Sequence, residues 1–157
     1  MQQEFKLTQE RLDELQNELT HLRTVREPEV SNQIKEARAF GDLSENSEYD
    51  EAKNEQGKLF SRIAEIENII NNAVLIEIGG SDKGKVVLGS TVTVVSKDDK
   101  SVTHTFTIMG SQETNPLDGR ISDESPFGRA LLGAKKGAKV QVDAPAGKKI
   151  YIVESVS

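Results

Sequence analysis

Apolar residues recur at alternating spacings of three and four along the first half of the chain, in two separate runs. The first run comprises Leu12, Leu15, Leu19 and Leu22 and, after a skip, Val30, Ile34 and Ala37. The second comprises Ala52, Gln56, Leu59, Ile63, Ile66, Ile70 and Ala73. Both segments are otherwise rich in strong helix formers. Each run therefore predicts a helix with a single apolar seam, which is stable only when it faces a partner helix.

The short segment between the two runs determines the relative direction of the helices. It spans Phe40–Ser44, in which Gly41 is suited to end the first helix and Asp42 to cap the second. A connection this short requires an antiparallel hairpin. A first helix from Thr8 to Phe40 would be about 50 Å long at ~1.5 Å per residue. Pro28 is expected to interrupt and kink it, because proline removes a backbone hydrogen bond.

From Val74 onward, short apolar runs separated by turn-forming residues predict β-strands instead. The predicted strands are Val74–Ile78, Lys85–Leu88, Thr91–Ser96, Val102–Met109, Ala138–Val142 and Lys149–Val156. One short helix is predicted at Pro126–Leu132, with Ser125 as its cap. The sequence thus predicts an α+β chain with two domains. Residues 1–75 form a helical arm, and residues 76–157 form a compact, mostly antiparallel sheet domain.

Composition and charge exclude several classes of protein. The hydrophobic content of 35% and aromatic content of 4% are lean for one continuous core, which favours an elongated part. The formal net charge of -6 argues against broad, non-specific wrapping of duplex DNA. Residues 1–75 contain 9 Lys and Arg against 16 Asp and Glu, a net charge of -7, so the acidity belongs to the arm. The chain has no cysteine, so it has no thiolate metal site. We find neither a signal peptide nor a membrane-spanning run, and we expect a cytoplasmic protein.

The segment Gly41–Glu51, here called the acidic tip, contains five acids and no basic residue. Asp42 and Glu45 are three residues apart at a predicted helix start, so their side chains can project from one face. Asp-x-x-Glu at this position is also an ordinary capping pattern, favoured by the helix macrodipole. Five acids exceed what a cap requires, and two nearby carboxylates form half of a Mg²⁺ site that another protein's active site could complete. The residues alone leave both interpretations open.

Basic residues flank the acidic tip. Lys35 and Arg38 precede it and Lys53 follows it, so an antiparallel hairpin could bring them together below the acids. Isolated basic residues on a helical surface mostly solvate it or pair with acids of the same protein. The alternative is contact with a nucleic-acid phosphate.

Two blocks of residues resemble the bacterial Gre transcript-cleavage factors, and the similarity extends over essentially the whole chain. The first block runs from Glu36 to Tyr49 (EARAFGDLSENSEY), followed by Lys53 and Gln56–Gly57, and the second from Ile121 to Gly133 (ISDESPFGRALLG). The resemblance implies an antiparallel coiled-coil hairpin followed by a C-terminal domain with an FKBP-like fold. It also implies a monomer that binds bacterial RNA polymerase. The C-terminal domain would dock on a coiled coil of the largest subunit, at the rim of the secondary channel, and the arm would enter the channel.

The resemblance assigns roles to residues of the arm. Asp42 and Glu45 would help to hold a Mg²⁺ ion shared with the polymerase active site, where backtracked nascent RNA is cleaved. The chain would then be no enzyme in itself and would hold no cofactor alone. Arg38 and Lys53 match positions associated with contact to the 3′ end of the RNA.

The second block is associated with polymerase docking. The four candidate docking residues are Ser125, Pro126, Arg129 and Leu132. Ser125 and Pro126 also suit an ordinary helix start, and leucines here could simply pack against the sheet. Arg129 is therefore the best candidate for an exposed contact.

Three alternatives are weighed against this function. A Gre-like inhibitor would occupy the channel without promoting cleavage, but such proteins typically alter the tip acids, and both are present here. An FKBP-type peptidyl-prolyl isomerase needs a pocket lined by several aromatics, and only Phe106, Phe127 and Tyr151 are available after residue 75. A structural coiled-coil adaptor would leave the surplus of tip acids unexplained.

Overall fold

The computed structural model describes residues 3–41 and 47–157, which fall into two compact units. Residues 12–72 form the helical unit, and residues 3–11 together with 73–157 form the sheet unit. The structure confirms the predicted α+β class, with a helical hairpin followed by a mostly antiparallel sheet. The sequence-based boundary between residues 75 and 76 differs from this division, since the first few residues belong to the sheet unit.

The helices are α1 (Gln9–His21), α2 (Glu27–Arg38) and α3 (Ser47–Asn71). α2 packs against α3 through a core cluster of Val30, Ile34, Ala52 and Leu59. These four residues belong to the predicted seams, as do the fully buried Leu15 and Ile66. One position differs at the end of α3, where Ile69 is buried and the predicted Ile70 is only half-buried.

A π-helical segment, Leu22–Arg26, connects α1 to α2 and explains the skip in the first apolar run. The backbone N–H of Glu27 bonds to the carbonyl of Leu22, five residues earlier instead of four. This wider turn holds one extra residue, so Leu22 and Val30 return to the same helical face although eight residues separate them. Pro28 lies in the first turn of α2, where proline is tolerated.

An ion pair joins α1 to α3. The Arg62 guanidinium donates to both carboxylate oxygens of Glu18, from Nε at 2.9 Å and from Nη2 at 2.8 Å. The hydrogen bond to Glu18 raises the pKa of Arg62 further above its usual value. Because an unperturbed arginine is already fully charged at neutral pH, titration of Arg62 itself adds no pH dependence to stability near pH 7.

We expect Arg62→Ala to lower the stability of the helical unit by about 1 kcal/mol. A bidentate, partly exposed ion pair stabilises a protein more than the usual surface ion pair does. Thermal unfolding followed by far-ultraviolet circular dichroism measures this loss. Lys58→Ala is the matched control, since Lys58 makes only an exposed 3.4 Å contact with Glu55 and should change stability by less than about 0.5 kcal/mol. Equal effects of the two substitutions would contradict a specific role of the Arg62 pair.

The sheet unit contains seven strands. They are β1 (Phe5–Leu7), β2 (Ala73–Leu75), β3 (Thr91–Ser96), β4 (Thr103–Met109), β5 (Arg120–Ser122), β6 (Lys139–Ala144) and β7 (Gly147–Val156). Five of them form one sheet in the order β5-β4-β3-β7-β6, in which only β4 and β5 run parallel. β1 and β2 form a separate parallel pair.

Helix α4 (Pro126–Leu131) packs on β6, and Leu131 is fully buried in the sheet core. In β3, Val92 and Val94 point into the same core, while the alternate residues Thr91 and Thr93 are only half-buried. This alternation is the period of two that a sheet with one covered face requires. The core therefore lies between the sheet and α4.

One predicted strand is wrong, and two strands were missed. Lys85–Leu88 forms no strand, because Val86 exchanges backbone hydrogen bonds with the loop after α4 at Gly133 and Ala134. β1 and β5 were not predicted. Each has three residues. β1 pairs parallel to β2, which is distant in sequence, and β5 pairs parallel to β4, which lies beyond a loop, so neither shows an alternating apolar pattern in its own sequence.

Candidate functional sites

The described end of α2 turns sharply before the acidic tip. The last residues of α2 are followed by a hydrogen-bonded turn in which the N–H of Phe40 bonds to the carbonyl of Ala37 at 3.2 Å. Gly41 then has a φ of 105°, a backbone conformation that side chains of L-residues rarely adopt. Gly41 thus ends the helix as its position in the sequence predicted. Asp42 and Glu45, the two predicted metal ligands, lie outside the described residues.

Two side chains predicted to contact RNA are described, and both are exposed. The Arg38 guanidinium lies over the ring of Tyr49, 5.9 Å from its centroid, which links the end of α2 to the start of α3. Lys53 donates to Gln56 Oε1 at 3.1 Å along its own helix. The guanidinium of Arg38 is thus positioned by an aromatic ring, whereas Lys53 is restrained only by a neighbour on α3.

A groove of about 280 Å³ lies between α2 and α3 beside this turn. The two buried alanines Ala37 and Ala52 form its floor. Its rim consists of Gln33, Glu36, Phe40, Glu48, Glu51 and Glu55. The rim therefore places carboxylates from inside and outside the acidic tip next to the exposed phenyl ring of Phe40. No three His, Cys, Asp or Glu side chains are arranged to hold a metal ion within residues 3–41 and 47–157.

The predicted docking residues lie along α4 in the sheet unit, from its N-cap Ser125 to its C-cap Leu132. Ser125 caps this helix, since its Oγ accepts the N–H of Gly128 at 3.1 Å and donates to the carbonyl of Ser122 at 2.6 Å. Pro126 and Arg129 are exposed, and with Ala130, Gln141 and Asp143 they line a groove of about 260 Å³. Leu132 is 38% exposed, whereas the adjacent Leu131 is fully buried. Ser125 therefore has a structural task, and Pro126, Arg129 and Leu132 remain available for contact.

Sequence reasoning missed an aromatic cluster on the same unit. His104, Phe106, Phe127 and Tyr151 meet, with ring centroids 4.7 Å apart for Phe106 and Phe127 and 5.1 Å apart for Phe127 and Tyr151. The exposed His104 stacks on Phe106 at 5.7 Å. Positions 104 and 106 share one face of a strand, a signal that could have linked them. Phe127 and Tyr151 join them only through the tertiary structure.

The rings of this cluster pack against one another. Tyr151 is 5% exposed and belongs to the core, and Phe127 packs between it and Phe106. The cluster thus packs the start of α4 against the sheet. The predicted docking residues lie on the surface next to this cluster.

Within the described residues, no helix is both long and apolar enough to cross a membrane.

Comparison with known proteins gives the family. Residues 5–75 match the model of the N-terminal domain of the transcription elongation factors GreA and GreB, and residues 81–157 match the model of their C-terminal domain. The chain is 49% identical over 155 residues to transcription elongation factor GreA of Macrococcus caseolyticus, covering 97% of this chain and 95% of that protein. It is 48% identical to the GreA of Bacillus cytotoxicus, covering 97% of this chain and 96% of that protein.

Solved structures with similarity to this chain include the transcription factor Gfh1, with a TM-score of 0.47 and 30% identity over 99% of both chains. Another is the GreA factor homolog 1 of Thermus thermophilus, with a TM-score of 0.45, also at 30% identity over 99% of both chains. The two family models together span nearly the whole sequence, and the GreA relatives match it along almost their full length. The chain therefore belongs to the GreA/GreB family of transcription elongation factors.

Proposed function

We propose that this transcription elongation factor enters the secondary channel of bacterial RNA polymerase and stimulates cleavage of backtracked nascent RNA by the polymerase. The observation that carries the proposal is that Asp42 and Glu45 stand in the Glu36–Tyr49 block, in the stretch of sequence that joins α2 to α3, of a chain that belongs to the GreA/GreB family. Two carboxylates in a short connection between paired helices suit delivery into a site that another protein encloses.

The proposal assigns the chain a supporting role in chemistry. Asp42 and Glu45 would supply oxygen ligands to a Mg²⁺ ion shared with the polymerase, and that ion would supply Lewis-acid chemistry toward water and the phosphodiester. The chain would position these carboxylates, and Arg38 and Lys53 would contact the phosphates of the RNA 3′ segment. In this proposal the factor has no enzymatic activity of its own.

Docking is proposed for the surface around the start of α4. Pro126, Arg129 and Leu132 are exposed there, on a helix that the Ser125 cap and the aromatic cluster hold in place. An exposed arginine beside apolar side chains suits a protein partner, because arginine can pair with carboxylates while its stem packs on apolar atoms. The proposed partner is the coiled coil of the largest polymerase subunit at the channel rim.

The test is a cleavage assay with stalled, backtracked elongation complexes of bacterial RNA polymerase. Addition of the wild-type chain should accelerate shortening of the transcript and restore elongation once nucleotides are supplied. Inhibition of elongation without cleavage would indicate the channel-blocking alternative instead. Binding to polymerase with neither effect would indicate an adaptor.

The isolated protein should bind Mg²⁺ too weakly to detect at about 1 mM, because two carboxylates provide only part of the usual octahedral shell. Isothermal titration calorimetry of the protein without polymerase measures this directly. Injection of Mg²⁺ into matched buffer without protein controls for heats of dilution, and the protein is first stripped of metal with EDTA, which is then removed. Saturable binding below about 0.1 mM would contradict the shared-site proposal.

A further inference from the structure

Phe40 is the most exposed phenylalanine in the described part of the chain, at 74% of its accessible surface. It immediately precedes Gly41 at the end of the first arm helix, and Gly41 alone separates it in sequence from Asp42. An exposed apolar residue on a surface is by itself ordinary. Its position beside the proposed metal ligands is what calls for a physical explanation.

The ring of Phe40 contributes little to the packing of the hairpin. The residues that close the α2–α3 contact at this level are the small Ala37 and Ala52, which are 3% and 5% exposed. The phenyl ring borders the groove above them and leaves most of its surface in solvent. Burial of the ring therefore does not account for an aromatic residue at this position.

The backbone that carries the ring is nevertheless held in place. The N–H of Phe40 bonds to Ala37, and the N–H of Gly41 bonds to the carbonyl of Arg38 at 3.2 Å. A ring presented from a fixed backbone has two side-chain torsions to restrict, so binding through it costs little conformational entropy.

The charges next to Phe40 determine which part of the RNA its ring can contact. Glu36, Glu48 and Glu51 share the groove with Phe40 and would repel phosphates. A nucleobase carries no such charge, and its amino groups can donate to carboxylates. Unpaired bases stack on aromatic side chains in many proteins that bind single-stranded nucleic acid. The guanidinium of Arg38, held over Tyr49, provides a positive charge close by for the adjoining backbone.

We propose that Phe40 stacks on a base of the single-stranded 3′ segment of the backtracked transcript and so positions the RNA for cleavage. This role rests on the proposed function, because it concerns the same RNA. Phe40 is a positioning residue here, since it touches the substrate but takes no part in the chemistry.

The experiment compares Phe40→Ala with Phe40→Trp and Phe40→Leu in the cleavage assay, using saturating factor. Phe40→Ala and Phe40→Leu should slow cleavage at least fivefold, the rate equivalent of a stacking loss of ~1 kcal/mol, whereas Phe40→Trp should retain the wild-type rate. Phe60→Ala is the matched control, because Phe60 is also an exposed phenylalanine of the arm, at 47%. It lies 13 residues into α3, roughly 20 Å along the helix at ~1.5 Å per residue, and should have no effect.

A second set of transcripts separates stacking from a structural role. Each of these transcripts lacks one base of the backtracked segment, and the wild-type factor should cleave one of them more slowly, namely the one that lacks the stacked base. On that transcript, Phe40→Ala should slow cleavage no further. For the Phe40→Ala factor, the concentration that gives half-maximal cleavage should stay within twofold of the wild-type value. Its far-ultraviolet circular dichroism spectrum should be unchanged.

Each other outcome overturns the proposal. Wild-type cleavage by Phe40→Ala would exclude a role for the ring, while the proposed function would stand. Independent losses from ring removal and base removal would exclude stacking. A weaker affinity for polymerase at an unchanged maximal rate would show that the ring contacts the polymerase instead, for example a cationic side chain. If the wild-type factor stimulates no cleavage at all, the proposed function fails and this role fails with it.

Discussion

Asp42→Asn and Glu45→Gln should each reduce factor-stimulated RNA cleavage by at least about 100-fold, because under the proposed function each would remove an anionic ligand from the shared Mg²⁺ that would neutralise charge in the transition state. Both replacements keep the size of the side chain and its capacity to cap a helix or accept hydrogen bonds. Affinity for polymerase should stay within about twofold, since the proposed docking surface lies in the sheet unit. Cleavage of a labelled transcript in backtracked complexes measures the rate, and competition between wild-type and variant factor measures the affinity.

Asp50→Asn is the control within the acidic tip. Asp50 is an exposed acid near the start of α3 and has no assigned ligand role, so its replacement should leave cleavage within about threefold of wild type. If Asp42→Asn and Glu45→Gln both cleave at the wild-type rate, the two acids serve only the helix start, and the metal-delivery role is wrong. If all three variants lose activity equally, the overall negative charge of the tip matters rather than two particular ligands.

Gly128→Ala should destabilise the sheet unit by about 3 kcal/mol, at the upper end of what an added methyl group costs in a close-packed site. A Cβ atom at this position would lie 2.0 Å from the carbonyl oxygen of Ser122 and 3.0 Å from the Cα of Asp123. Both are backbone atoms, so relief requires α4 to move away from the loop that Ser125 ties to it. Urea denaturation followed by amide NMR signals of β3 and β7 measures the loss, and binding to polymerase should weaken in parallel.

Gly57→Ala is the matched control, because it adds the same methyl group where nothing lies within 4 Å. Gly57 occupies the interior of α3, where alanine is favoured over glycine by about 1 kcal/mol. The helical unit should therefore melt at a higher temperature, and the urea midpoint of the sheet unit should not change. Unchanged stability of Gly128→Ala would show that α4 has room to shift and does not depend on this close approach.

The candidate sites differ in how far the sequence could predict them. Gly41 ends its helix with a left-handed backbone conformation, and Ser125 caps α4, because turn and cap preferences are local and depend on a few adjacent residues. The groove beside Phe40 was not predicted, since it requires α2 and α3 to place alanines opposite each other. The meeting of Phe127 with Tyr151 and Phe106 depends on strand order and on the placement of α4, which local patterns do not encode.

The sequence by itself determined the helical hairpin, because a seam of apolar residues at helical spacing and a short glycine-containing connection leave one stable arrangement. It also determined the family, through two blocks of residues that carry the acidic tip and the start of α4. Only the tertiary structure decided the parallel pairing of β4 with β5 and of β1 with β2, since strand partners distant in sequence are selected by packing of the whole core. It likewise decided the π turn at Leu22–Arg26, where one extra residue is accommodated so that both halves of the apolar seam face α3.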